Sequence, residues 1–404
     1  MLSDSDIRII KSTIPVLEQA GPSLTKHFYQ RMFTHHPEVQ HIFNASHQAS
    51  GRQQIALFEA IAAYAKNIEN LAALTQAVER IAQKHTSFNI QPQHYDIVGE
   101  HLLATLRELA ADAFTPEVEQ AWAKAYLFLA QIFIDREGEL YRLRAAAQGG
   151  WQGLRPFTVT AKRVESQLVT SFELTPADGG EVIDFLPGQY IGIEVAIPGS
   201  AFRQVRQYSL SCHPNRHHYR ISVKREPGST EHAGGLVSHY LHQQVKQGDE
   251  VMLYPPAGDF YLHERQQPVV LISAGVGLTP MQAMLEHLAR QQYSQPVTYL
   301  HACDNPRQHS FSEQVSELLL PHWQQVVWYE NPDKQLTADK PPTHLHKQGR
   351  MDLTSIKNML PIKTGDFYLC GPVSFMQHVV QQLQTLGVNK ANIHYEVFGP
   401  HEQF

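Results

Sequence analysis

The chain has 404 residues and a formal net charge of −6, with 42% hydrophobic and 18% charged residues. That length suggests two to four domains, each able to bury its own core, and the composition is that of ordinary globular protein. No block of Lys and Arg stands out, which argues against nucleic acid or an anionic membrane as partner. Cys212, Cys303 and Cys370 are far apart and no CxxC occurs. A disulfide framework or zinc site is therefore not expected, and a reducing cytoplasm is. The first residues include Asp4 and Asp6 and lack the basic, then apolar, pattern of a signal peptide. The longest apolar stretch, 125–134, contains Gln131 and is too short to span a bilayer.

Residues 1–144 lack strand-like alternation and read as helices. Ser3 or Ser5 caps a helix running to Glu18, and a second covers 23–33 and stops before Pro37. A third, over 52–67, carries Ile55, Leu57, Phe58, Ile61 and Ala62 on its apolar stripe. Further helices are predicted over 71–85, 93–110 and 116–141, the last with Pro116 in its first turn. At least six helices in so short a span predict a compact all-α domain.

Residues 145–156 are rich in small residues and glycine and read as a linker. Short β-rich runs come next, at 157–164, 168–174, 190–196, 207–212, 219–224 and 250–254, separated by turn residues such as Pro187-Gly188 and Gly248-Asp249. Six such strands suffice for a small antiparallel barrel, placed at 157–262. From 263 to 404 strands and helices alternate. Strands are predicted at 269–273, 297–302, 326–329, 367–369 and 393–397, with helices from Pro280, from Ser312, near 353–360 and from Val373. This is the pattern of a parallel sheet with crossover helices.

His85 ends a helix in QKHTSF. A lone histidine in a chain holding 24 of them carries little by itself. A haem-ligating histidine needs its second ring nitrogen hydrogen-bonded, and Tyr95 and Glu137, on later helices, are the right chemical types. Tyr29 and Gln53 can hydrogen-bond a bound diatomic, while Leu57, four residues after Gln53, would limit access. On spacing alone these residues also read as ordinary core and surface helix positions.

In the β-rich part, Arg206-Gln207-Tyr208-Ser209 combines a guanidinium suited to pyrophosphate, an aromatic ring suited to isoalloxazine and a hydroxyl suited to a ring nitrogen. Pro187-Gly188-Gln189-Tyr190 precedes it, and Gly234-Gly235 opens a later helix whose N-terminus favours phosphate. In the α/β part, Gly275-Val276-Gly277-Leu278-Thr279-Pro280 comes after a strand and opens a helix. It lacks the third glycine of GxGxxG, yet its orphan N–H groups suit a pyrophosphate. Cys370-Gly371-Pro372 ends another strand, where Cys370 reads equally as a buried structural cysteine. Asp304, at a strand end, reads either as a ribose acceptor favouring NADH or as a surface-loop residue.

Tyr29, Gln53, Leu57, Lys84-His85, Tyr95 and Glu137, in this order and fused to a β-rich and an α/β part, resemble the globin domain of a bacterial flavohaemoglobin. The resemblance covers essentially the whole chain and is strongest in IAQKHTSF, GEHLLATL, RQYSL, ISAGVGLTPM, FYLCGPVSFM and HYEVFGPH. It implies a globin domain (1–144), an antiparallel FAD-binding barrel and a ferredoxin-reductase-like NAD(P)-binding domain. It implies haem b, FAD and NAD(P)H as cofactors, with His85 as proximal iron ligand. Tyr95 and Glu137 would be its hydrogen-bonded partners, and Tyr29 and Gln53 the distal residues. Tyr190 and Arg206–Ser209 would hold FAD, Gly275–Pro280 the nicotinamide nucleotide, and Val397-Phe398-Gly399-Pro400 would return to the flavin. Tyr29, Lys84 and Val397 would tune redox behaviour, Val397 standing where a polar residue also occurs in the family.

The domain set has a chemical logic. NAD(P)H gives up electrons in pairs, haem iron accepts them singly, and a flavin converts between the two. The resemblance implies a nitric oxide dioxygenase, a cytoplasmic monomer acting on nitric oxide and O₂. Two rival readings are an oxygen-binding or sensing globin with an attached reductase, and a general flavin or ferric reductase.

Overall fold

The structure, a computed structural model, describes residues 2–42, 52–228, 234–332 and 344–399; for 17–20, 22, 52–56, 58 and 344 it describes the backbone only. The chain divides into two compact units.

The first unit is mainly residues Met1–Ala147 and is helical. Helix α1 spans Asp4–His35 and begins with a capping box in which Ser3 Oγ accepts from the Asp6 N–H and the Asp6 carboxylate accepts from the Ser3 N–H. Gly21 interrupts this stretch with a non-helical backbone, φ 32° and ψ −121°, that only glycine takes readily, so the two helices expected from the sequence meet there at a kink. A 3₁₀ turn, Pro37–His41, comes next, then α2 (Arg52–Lys66), a 3₁₀ turn at Leu71–Leu74, α3 (Thr75–Thr86), α4 (Pro92–Leu109) and α5 (Pro116–Ala146). Phe28, Met32, Tyr64, Leu102 and Trp122 are among the residues that close the core. Burying one such side chain contributes about 1.5–3 kcal/mol. Their polar tips are paired: Tyr64 donates to the Ala125 carbonyl at 2.9 Å, and Trp122 Nε1 to Thr13 Oγ1 at 2.9 Å.

Further along the chain, β1 (Arg155–Val164), β2 (Val169–Pro176), β3 (Tyr190–Val195), β4 (Gln204–Ser209), β5 (Tyr219–Lys224) and β6 (Glu250–Leu253) form a six-stranded sheet in the order β4-β3-β6-β1-β2-β5. Strand β4 begins and ends three residues earlier than expected. Beyond Ser209 the chain leaves the strand: Leu210 bridges Ile221, and the Ser211 N–H donates to the Arg220 carbonyl at 2.8 Å. These contacts bring the end of β4 to β5 and close the sheet on itself. Helix α6 (Leu236–Gln243) comes after β5.

The rest is a parallel sheet: β7 (Val269–Ala274), β8 (Val297–Cys303), β9 (Trp323–Tyr329), β10 (His344–Gln348), β11 (Asp366–Cys370) and β12 (Ile393–Glu396), in the order β10-β9-β8-β7-β11-β12. Helices α7 (Leu278–Arg290), α8 (Ser312–Ser316) and α9 (Val373–Leu386) connect them. One apolar core lies around α7 and Phe311, the other around α9 and Trp328. Strand β10 was not expected; among the described residues it is an edge strand paired only with β9, and HLHKQ lacks the apolar alternation that marks a strand. The segment read as a helix near 353–360 is a 3₁₀ turn at Thr354–Met359. The strand order reverses between β7 and β11, so a crevice opens at the carboxyl ends of those two strands.

Candidate functional site

His85 occupies the last turn of α3. Its Nδ1 is 2.8 Å from Glu137 Oε1 and 2.9 Å from the Tyr95 hydroxyl, and that hydroxyl donates to the same Glu137 oxygen at 2.6 Å. A carboxylate only accepts, so Nδ1 carries the proton and Nε2 keeps a lone pair available to a metal. Glu137 is 2% exposed, whereas the His85 side chain is one-third exposed. The carboxylate is thus inside and the imidazole opens outward. Burial first, and the Glu137 charge second, push the Tyr95 phenol far above its ordinary range, so it remains a donor.

The neighbouring helices hold this geometry. Arg136 on α5 pairs with Glu79 on α3 at 2.6 and 3.0 Å, and Arg144 donates to Thr86 Oγ1 and Gln83 Oε1. These bonds clamp α3 to α5 on either side of the His85–Glu137 contact. Phe133 stacks on Tyr95, with centroids 6.2 Å apart and planes 15° apart. Tyr126 donates to the Tyr95 carbonyl at 2.5 Å. Sequence reasoning named none of these supports, although Arg136 and Arg144 lie on α5 within seven residues of Glu137. Among the described residues no three His, Cys, Asp or Glu side chains converge as a metal cage. A single histidine whose Nδ1 is held by a carboxylate and a phenol suits a metal whose other ligands come from a prosthetic group, as in haem.

Tyr29 lies on α1, 6% exposed, its ring edge-on to Phe28 at 5.0 Å and tilted on Phe33 at 5.7 Å. Burial pushes its phenol above the ordinary range and keeps the hydroxyl protonated. Leu57 packs against the same core. Gln53 is on α2, but its side chain lies outside the described residues. Lys84 is half-buried beside His85.

On β4, Arg206, Gln207 and Tyr208 are all half-exposed while Ser209 is buried. Strand alternation puts Arg206 and Tyr208 on one face, so a planar cation and an aromatic ring stand side by side. Arg206 is anchored by donation to the Val205 carbonyl and to Gln204 Oε1. Tyr190, at the start of β3, is held by a two-way backbone pair with Ala257, and its ring lies where a side chain at Gly258 would be. Gln189 joins the parts: its carbonyl accepts from Leu210 N, and its amide donates to the Gly258 carbonyl at 3.0 Å. Gly188 has φ 114°, and a Cβ there would come within 2.8 Å of Met284 Cε and the Phe260 carbonyl oxygen. At Gly234 and Gly235, opening α6, a Cβ would crowd His239 and Ser238.

At the crevice, Gly275 to Gly277 form a 3₁₀ turn that runs into α7. Gly275 is exposed and Val276 half-exposed; Gly277, Leu278, Thr279 and Pro280 are buried. The open surface of the motif is thus its first two residues, and the rest holds the helix in place. A Cβ on Gly277 would overlap the Cys370 carbonyl oxygen, so the turn and the end of β11 are in direct backbone contact. Cys370 is fully buried, and burial pushes its thiol well above the usual range, which makes it inert. Asp304 accepts from Asn331 Nδ2 at 2.6 Å and Asn305 Nδ2 at 2.7 Å, a carboxylate held by neighbouring amides at the end of β8. After β12, Val397 is buried, Phe398 is exposed and Gly399 is half-exposed. Pro400 lies outside the described residues. No helix among the described residues is long and apolar enough to cross a membrane.

Three family profiles match successive parts of the chain. The globin profile matches residues 26–132, the oxidoreductase FAD-binding domain 156–261 and the oxidoreductase NAD-binding domain 271–381. A flavohemoprotein of Vibrio cholerae serotype O1 is 62% identical over 406 residues, covering 100% of this chain and 99% of that protein. The flavohem-like FAD/NAD-binding domain of a nitric oxide dioxygenase from Vibrio cholerae O1 biovar El Tor is 56% identical, with a TM-score of 0.55, over 61% of this chain and 99% of that one. A flavohemoglobin from Malassezia yamatoensis, solved with FAD and haem bound, is 27% identical, with a TM-score of 0.85, over 98% of this chain and 100% of that one. A helical unit with an oriented histidine, a closed antiparallel sheet and a parallel sheet with a glycine turn occur here in the same order and at full length, and the chain belongs to the flavohaemoprotein family.

Proposed function

We propose that this protein is a nitric oxide dioxygenase. Two nitric oxide molecules, two O₂ and one NAD(P)H give two nitrates, NAD(P)⁺ and a proton. The observation that carries this reading is His85, with Nδ1 fixed by a buried carboxylate and a phenol, in a chain that continues into a flavin-type and a nicotinamide-type fold. The Vibrio relative, described as part of a nitric oxide dioxygenase, and the Malassezia relative, holding FAD and haem, support it.

Haem b supplies the iron at which the gases meet, FAD converts a two-electron hydride into single electrons, and NAD(P)H is the donor. In this reading Nε2 of His85 holds the iron. Glu137 and Tyr95 retain the Nδ1 proton and make the imidazole a stronger donor of electron density. Tyr29 and Gln53 would hydrogen-bond a gas bound there, and Leu57 would narrow the access to it. Arg206 grips the FAD pyrophosphate, Tyr190 and Tyr208 flank its ring, and Gln207 and Ser209 complete the FAD-binding strand. Gly275 and Val276 admit the nicotinamide pyrophosphate to the start of α7, which Gly277, Leu278, Thr279 and Pro280 hold in place. Val397, Phe398, Gly399 and Pro400 form the segment beside the flavin. Tyr29, Lys84 and Val397 tune the potentials.

The domains in this reading are globin 1–144, linker 145–156, FAD-binding 157–262 and NAD(P)H-binding 263–404. Helix α5 ends at Ala146 and β1 begins at Arg155, which supports a short connection between the first two. The protein is read as a cytoplasmic monomer; its three cysteines are unpaired, with Cys212 and Cys370 buried, which suits a reducing compartment.

NADH oxidation by the wild type and by His85→Ala, with and without nitric oxide in air, tests the reading. A stimulation by nitric oxide that disappears in His85→Ala is expected. Equal stimulation in both would leave a general flavin reductase, and none in the wild type an oxygen-binding globin.

A further inference from the structure

The flavin-type barrel and the nicotinamide-type fold are joined by a buried charge cluster outside either cofactor site, and all the residues of the cluster lie in the second unit. Arg220 is on β5 and Glu286 on α7. Arg220 Nη2 is 2.6 Å from Glu286 Oε1, with side-chain exposures of only 14% and 18%. Gln282 Nε2 donates to the same oxygen at 3.1 Å. The other oxygen, Oε2, accepts from the His213 backbone N–H at 3.0 Å and lies 3.5 Å from His213 Nδ1. The Arg220 guanidinium also donates to the Ser211 carbonyl and to Ser211 Oγ, and sits 5.1 Å from the Phe311 ring centroid.

Burial alone would push the Glu286 carboxyl up. The His213 contact, the charge and hydrogen bond of Arg220 and the Gln282 amide outweigh it and hold the group at about 2. The carboxylate is therefore ionised at every physiological pH. A buried ion pair is a poor device for stability, because desolvation consumes most of its attraction. What it provides is a fixed geometry.

The cluster connects two motifs. Ser211 lies two residues beyond Ser209, the last residue of the Arg-x-Tyr-Ser strand. On α7, Thr279, Gln282 and Glu286 share one face at helical spacing, and Thr279 Oγ1 donates back to the Val276 carbonyl in the glycine turn. A continuous chain of bonds thus runs from the end of β4 through Ser211, Arg220 and Glu286 to α7, whose first turn carries the glycine motif.

We propose that Arg220 and Glu286 are positioning residues for hydride transfer: they fix the nicotinamide turn against the flavin strand without touching the reacting atoms. This rests on the reading above that NADH reduces a flavin held at Arg206–Ser209. In that step the hydride leaves the dihydronicotinamide with both electrons and adds to the flavin, giving NAD⁺ and reduced flavin. A displacement of about 1 Å at such a step costs on the order of 100-fold in rate, so the strut is set by distance rather than by affinity.

The test uses the full-length, haem- and FAD-loaded protein in anaerobic rapid mixing with NADH. The variants are Glu286→Gln, which removes the charge and keeps the shape, and Arg220→Lys, which keeps the charge and loses the planar fork. In both, the limiting rate of flavin reduction at saturating NADH is expected to fall ~10-fold or more. The long-wavelength nicotinamide–flavin charge-transfer absorbance is expected to weaken, while the flavin midpoint potential and the NADH dissociation constant stay within about twofold. Glu286→Asp, which restores the charge, is expected to recover part of the rate. Lower thermal stability with an unchanged limiting rate and charge-transfer band in both variants would overturn the proposal. Failure of NADH to reduce the wild-type flavin would instead overturn the reading on which it rests.

Discussion

His85 Nδ1 and Glu137 Oε1 stand 2.8 Å apart although 52 positions separate the two residues, and that one contact decides which nitrogen of the imidazole faces outward. Tyr95 adds a second bond to each partner. The buried anion behind the ring makes Nε2 a stronger donor, and a bound iron would feel it as a lowered reduction potential.

Glu137→Gln removes that negative charge and keeps the shape. The haem midpoint potential is expected to rise and nitric oxide turnover to fall ~10–100-fold, the usual cost of losing such a partner. Potentiometry and steady-state assays read the two effects. An unchanged potential would mean that Glu137 only packs.

Gly277 has no room for a Cβ because the Cys370 carbonyl occupies the space. Gly277→Ala is therefore expected to force the glycine turn away from β11 at a cost of about 1–3 kcal/mol. NADH affinity is expected to drop at least ~10-fold, the equivalent of about 1.4 kcal/mol, while the haem spectrum is unaffected. Fluorescence titration with NADH checks it, and wild-type affinity would show that the contact is not structural.

Gly99 on α4 faces the ring of Tyr126 on α5, whose hydroxyl holds the Tyr95 carbonyl. Gly99→Ala would push that ring aside and destabilise the helical unit by about 1–3 kcal/mol. Scanning calorimetry should show the loss in the globin transition, with the reductase transition unmoved.

Asp6 closes the cap of α1. Its carboxylate accepts from the Ser3 backbone and hydroxyl and from Lys124, and these hold it at about 2, against an ordinary 3.8. A folded-state value below the unfolded one means stability that is fully present above about pH 4 and is lost as pH falls through 2. The melting temperature of the wild type should exceed that of Asp6→Asn above pH 4, and the difference should shrink toward zero near pH 2. A gap that widened on acidification would contradict this sign.

The architecture was legible where periodicity is strong. Strands β7 and β11 are largely apolar runs, and Pro116 announces α5 through its fixed φ. Legibility failed where tertiary contacts decide. β10 is specified by pairing with β9 rather than by its own residues, and β4 ends at Ser209 because Leu210 and Ser211 turn to β5. For the site, the types of His85, Tyr95 and Glu137 were visible, but their convergence from three helices was not; the family resemblance supplied it. The clamps from Arg136 and Arg144 and the Arg220–Glu286 strut span 57 to 66 positions, and no local pattern encodes such pairs.

The most direct measurement is the stoichiometry of nitrate formed per NADH consumed when the haem- and FAD-loaded protein is given nitric oxide and O₂. Two nitrates per NADH, with no nitrate above background in His85→Ala, is the expected result. NADH consumed with O₂ but without matching nitrate, or equal nitrate in His85→Ala, would mean that the chemistry does not take place at His85.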